Sequence, residues 1–123
     1  MVDRKDAMQR LQIDVFTATT AGANAWSSNI PEHKTRYIVA LFLVGDGEAS
    51  RTVTVQKVEE NGSTSDLFPK VPVPPADIVP IPKQNYDIMN PIIVLEGGTN
   101  LKGTVDAGSG VSVVVVYWDD PAV

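Results

Sequence analysis

Cysteine is absent from the 123 residues of this chain. That removes disulfides, thiolate metal sites and cysteine nucleophiles together, and leaves burial or self-association to supply stability. Histidine occurs once, at His33, so multi-histidine metal cages are excluded and any serine triad would depend on that one residue. Basic residues are also scarce, ten against fifteen acidic ones, for a formal charge of −5. This balance argues against sequence-independent binding to nucleic acid phosphates. The longest apolar runs, residues 37–44 and 113–118, fall far short of the roughly 20 residues a membrane helix needs. The first ten residues alternate charge and lack the apolar centre of a secretory signal, so secretion by that route is not expected.

Proline is plentiful and clustered. Six of the nine prolines lie between Phe68 and Pro82, where each fixes φ and removes a backbone donor, so the stretch reads as an extended arm or crossover that cannot occupy a central sheet position. Val71, Val73, Ile78, Val79 and Ile81 make it apolar. A stiff apolar ribbon needs a surface to lie on, either its own sandwich or a neighbouring subunit.

Strand periodicity accounts for most of the remainder. Leu11, Ile13 and Val15 alternate with Gln12 and Asp14, predicting a first strand with those apolar side chains buried. Residues 17–34 lose periodicity and read as a long loop pinned by Trp26 in the core. Tyr37 to Val44 is apolar on both faces, and a polar turn through Asp46 and Glu48 joins it in an expected hairpin to the alternating segment Arg51 to Val58. Asn61-Gly62 supplies a tight turn. Further strands follow at residues 92–95, 99–105 and 111–118, with Gly97-Gly98 and Gly108-Ser109-Gly110 read as hairpin turns. The last strand is apolar on both sides, so it must be central or face a partner.

The expected fold is therefore all-β: a single β-sandwich domain over residues 1–123, jelly-roll-like, with an extended proline-rich arm at 69–82 and an N-terminal arm or short helix at 1–10.

Nothing assembles a catalytic motif. His33 sits among charged loop residues with no nucleophile motif beside it. The acidic pairs Asp46/Glu48, Glu59/Glu60 and Asp119/Asp120 lack the spacing of a calcium loop and read as turn carboxylates. The glycine turns precede strands, whereas a phosphate cradle needs a helix behind it. Catalytic residues, metal and cofactor are all expected to be none.

Residues Arg36 to Trp118 resemble small accessory virion proteins of tailed bacteriophages, the β-sandwich or jelly-roll modules found as capsid decoration, head and tail components. The resemblance lies in a pattern over about two-thirds of the chain. An apolar strand (Tyr37 to Val44) is followed by a polar turn, a Thr/Val strand (Arg51 to Val58), the run Ile92-Ile93-Val94-Leu95-Glu96-Gly97-Gly98, and a closing strand ending Tyr117-Trp118-Asp119. It implies a non-enzymatic protein of the virion that forms a homo-oligomer, expected to be a homotrimer, and docks onto a major capsid or tail protein, with no nucleic acid or membrane partner.

Apolar area beyond what one small sandwich can cover points the same way, because uncovered patches mark interfaces. The interface candidates are Tyr37, Phe42, Val71, Val73, Ile78, Ile81, Val114, Val116 and Trp118. The alternative is a carbohydrate-binding sandwich that stacks sugar on Trp26, Tyr86 or Trp118.

Overall fold

The computed structural model describes residues 2–17, 22–26, 30–45, 49–106 and 111–121. Among the described residues ten elements follow one another: α1 (Arg4–Arg10), β1 (Gln12–Thr17), β2 (Gly22–Ala25), β3 (Thr35–Val44), β4 (Arg51–Val58), β5 (Thr64–Val73), β6 (Ile78–Ile81), β7 (Ile93–Leu95), β8 (Asn100–Val105) and β9 (Ser112–Asp120). The first sheet runs β1-β9-β3-β6, with β7 also paired to β3, and the second runs β2-β8-β4-β5. All the pairings are antiparallel. Most steps along the chain cross between the sheets, only β4–β5 and β6–β7 staying within one, and each sheet interleaves early and late strands; this is the eight-strand jelly roll with β7 added.

Two expected hairpins are corrected by this order. β3 and β4 lie in different sheets, so Tyr37–Val44 does not pair with Arg51–Val58. The reason is that β3 is apolar on both faces and takes a central place between β9 on one side and β6 with β7 on the other. Gly97-Gly98 likewise carries the chain from β7 in one sheet to β8 in the other, with Gly98 at φ +84. The loop expected over 17–34 contains strand β2. Asp46, Glu48 and Gly108-Ser109-Gly110 lie outside the described residues.

The hairpin at Asn61-Gly62 joins β4 to β5, with Gly62 at φ +90 and its N–H donating to the Glu59 carbonyl at 2.9 Å. β5 runs through Pro69 and Pro72, and β6 contains Pro80. Both are edge strands, the only sheet positions where the missing N–H leaves no ladder bond unmade. Residues 69–82 therefore finish one edge, turn at 74–77, and begin the edge of the facing sheet.

The main core fills the space between the sheets with Ile38, Leu41, Leu43, Val113, Val115 and Tyr117 from one and Val53, Val55, Val73, Leu101 and Val105 from the other. Trp26 lies among them at 1% exposure, across Gly103 of β8. A second, smaller core sits on the outer face of the first sheet. A bulge between Ile38 and Ala40 shifts the alternation there, turning Val39 and Ala40 outward while Leu41 and Leu43 return to the main core.

Candidate interaction surface

The outer face of the first sheet is apolar from edge to edge. In antiparallel register, directly paired residues share a face. Three rows are fixed by the pairing: Ile13–Val116–Ala40, Val15–Val114–Phe42–Pro80, and Trp118–Tyr37–Val94. Ile78 extends the face beside Val44 on β6.

One half of this face has its own cover. α1 is short, fewer than two full turns, and is held by specific contacts because so short a helix is unstable alone. The Asp3 side chain accepts from the Asp6 N–H at 2.9 Å as N-cap, and fully buried Ala7 packs against Val39, Ala40, Ile88, Val116 and Trp118. Arg4 reaches Asp87 at 3.0 Å and Arg10 reaches Asp120 at 3.1 Å. Ile88 closes the other side, and its carbonyl accepts the Trp118 Nε1–H at 3.0 Å. The Met89 N–H and then Arg4 hold the Asp87 carboxyl below its ordinary value. Trp118 also stacks on Tyr37 with ring centroids 4.4 Å apart.

The other half lies open. Ile13 and Val15 of edge strand β1 are 62% and 63% exposed, and Ile78 of the opposite edge is 57% exposed. Val114, Phe42 and Pro80 between them are half-buried. Ile13 and Val15, on one face of β1, form an apolar ridge. At the far edge a groove of about 430 Å³ runs between β5 and β6, lined by Val71, Pro72, Pro74, Ile78, Val79 and Pro80, with Asp77 and Lys83 at its rim.

Several sequence expectations are corrected here. Ile13 and Val15 face outward, not into the core, because the inner face of β1 belongs to Phe16, packed on the main core, and to Gln12 and Asp14, which meet Tyr117. Among the interface candidates, Val73, Val116 and Trp118 are concealed within the single chain. α1, the Ile88 loop and the facing sheet supply the cover that local periodicity cannot reveal. Tyr37, Phe42, Val71, Ile81 and Val114 are half-buried, and Ile78 is exposed. The carbohydrate platform loses Trp26 and Trp118 to burial, leaving Tyr86 exposed. Reading the strand at residues 11–15 by alternation alone missed Ile13 and Val15 as surface. The one local sign was Asp14, whose carboxylate has a buried hydroxyl to meet.

The polar residues form a separate structural network. Arg36 donates to both Asp119 oxygens, at 2.8 and 3.1 Å, and lies 4.0 Å over the Tyr117 ring. Burial alone would lower the Arg36 pKa, and the Asp119 hydrogen bond and charge outweigh it, so the net shift is upward. The Tyr117 hydroxyl donates to Asp14 at 2.9 Å, with the Gln12 side-chain oxygen at 3.1 Å. Burial, then the hydrogen bond to Asp14, pushes the phenol up to about 12. His33 is exposed in a turn and lines an open polar hollow of about 570 Å³ with Glu32, Lys34 and Glu96. Lys57 pairs with Glu59 at 3.6 Å. Among the described residues, no three His, Cys, Asp or Glu side chains are grouped to hold a metal ion, and no helix is long and apolar enough to cross a membrane.

No protein-family model matches the chain, and no curated protein matches it. Among solved structures it is similar to a chain of the IBDV viral particle, at 10% identity and a TM-score of 0.45, over 87% of this chain and 31% of that one. It thus spans about a third of that chain's length. It is also similar to the Anabaena sensory rhodopsin transducer, at 10% identity and 0.42, over 80% and 91% of the two chains. The SPBc2 prophage-derived protein YomS matches at 17% identity and 0.43, over 86% and 94%. Similarity this distant says nothing of function, and the jelly-roll assignment stands on the strand order alone.

Proposed function

We propose that this chain is a non-enzymatic structural protein of a virion, a capsid decoration or head or tail accessory part, that assembles as a homotrimer and docks onto a major capsid or tail protein. The virion setting comes from the sequence resemblance. Self-association comes from the open half of the outer sheet face.

The observation that carries the reading is the row Val15–Val114–Phe42–Pro80, flanked by open Ile13 and Ile78. Fully burying a Val or Ile side chain is worth about 1.5–3 kcal/mol, so three side chains roughly 60% open gain about 1–2 kcal/mol each. Association itself costs roughly 4–15 kcal/mol. The exposed three are therefore insufficient alone, and the interface must extend over half-buried Phe42, Val114 and Pro80.

Light scattering of the pure protein at micromolar concentration tests the assembly, and co-sedimentation with assembled particles tests the docking. The expected results are a mass of three subunits and pelleting with the particles. A monodisperse monomer that stays in the supernatant would sink the reading.

A further inference from the structure

We infer that α1 is a hinged cover: it lifts from the outer sheet face as a unit, about Leu11, while both sheets and the main core stay folded, and its lifting bares Trp118 and the residues beside it. The motion needs no partner copy and stands apart from the self-association reading above.

The hinge is built into the chain. Leu11 ends the helix in extended backbone, at φ −61 and ψ 131, and the next residue, Gln12, is already held in register against Tyr117 of β9. Everything after Leu11 is tied into the sandwich. The main core contains no residue before Phe16. α1 and the residues flanking it enter only the smaller outer cluster, through Ala7 and the partly buried Val2 and Leu11. Lifting α1 therefore leaves every strand pairing and the main core unbroken.

The grip on the sheet is weak. A helix of seven residues has little stability of its own. The Asp3 cap and the 2.9 Å bond from the Ala7 N–H to the Asp3 carbonyl are internal to the helical segment, so they shape it without anchoring it. Ala7 is its one buried residue and offers the sheet a single methyl group. The other ties are ion pairs. Arg4–Asp87 has side chains 62% and 48% exposed, and Arg10–Asp120 has side chains 26% and 45% exposed; Arg10 also donates to the Asp119 carbonyl at 3.3 Å. Pairs so open to water contribute little. An element with so few buried contacts opens locally, well before the whole domain unfolds.

What lies beneath is larger than the grip. Val39, Ala40, Val116 and Trp118 are all at most 5% exposed, and α1 packs on them together with Ile88. The Ile88 carbonyl that accepts the Trp118 Nε1–H is outside α1, so the indole keeps its hydrogen bond when the cover lifts. The position of α1 thus sets whether the apolar face stops at Ile13 or continues through Val116 and Ala40 to Trp118.

Native-state hydrogen exchange on the full chain tests the motion. The Ala7 amide should exchange at least ~100-fold faster than the amides of β3 and β9, with a much weaker dependence on urea, because a local opening exposes little surface. Arg4→Ala with Arg10→Ala should speed the Ala7 amide by a further ~2–30-fold and leave β3 and β9 unchanged, the range expected from losing two exposed ion pairs. Met8→Pro breaks the helix at a position 62% exposed, where no packing is lost. It should stay folded, with Trp118 now quenched by acrylamide and Trp26 still shielded. An Ala7 amide that exchanges at the rate and urea dependence of β3 and β9 would overturn the hinged cover. So would a Met8→Pro protein that fails to fold, or one in which Trp118 stays shielded.

Discussion

Replacing Gly103 by alanine probes the centre of the sandwich. Gly103 sits on β8 between Leu101 and Val105, whose side chains are in the main core, so position 103 shares their inward face. A Cβ built there would overlap the Cη2 and Cζ2 carbons of the Trp26 indole. The ring has no room to retreat, since Trp26 is only 1% exposed. Overpacking a core costs about 1–3 kcal/mol, and overlap with two ring carbons puts this site toward the upper end. Removing a strand glycine returns about 0.5–1 kcal/mol of backbone entropy. The net expected loss is about 2 kcal/mol. For a domain of this size that lowers the melting temperature by roughly 6–10 °C.

Urea denaturation reads the same loss as a lower midpoint with an unchanged slope. A double-mutant cycle isolates the cause. Trp26→Ala alone should cost about 3–5 kcal/mol, and in that background Gly103→Ala should be neutral or slightly stabilising. A Gly103→Ala protein that melts with the wild type, or a penalty that persists without the indole, would refute the packing described here.

Arg36→Ala should destabilise the fold by about 3–5 kcal/mol in chemical denaturation, because it strands the nearly buried Asp119 carboxylate without its bidentate partner. Tyr117 has a folded-state pKa of about 12 against an unfolded value near 10. The native state keeps its proton where the unfolded chain has lost it, so this contribution is present below pH 10 and lost between about pH 10 and 12; a denaturation series across that window should show the decline, and Tyr117→Phe should remove its share. Ala7→Leu should lift α1 from Trp118 at a cost of about 1–3 kcal/mol, seen as a change in Trp118 emission against a Trp26→Phe background.

Much of the architecture was written in the sequence because it follows from short-range rules. Alternation and apolar runs placed the strands at residues 37–44, 51–58 and 111–118. Asn61-Gly62 marked a hairpin with a tight turn, and the clustered prolines were barred from central sheet positions because they cannot donate to a ladder, although the arm expected there turned out to be two edge strands. Trp26 belonged in the core by size and polarity. What tertiary structure alone decided was which side of each strand is covered. Local periodicity reports that side chains alternate, but the cover over Trp118 comes from Ala7 and Ile88, far away in the chain. Ile13 and Val15 read as core residues from their spacing, yet they lie outside because Phe16 and the Asp14–Tyr117 hydrogen bond hold the other face inward. The bulge at Ile38/Ala40 resets the pattern within β3, and pairing across sheets replaces the expected hairpin with a crossover. Burial depends on neighbours brought together by folding, so the open apolar half of the outer sheet face emerges only once the strands are in place.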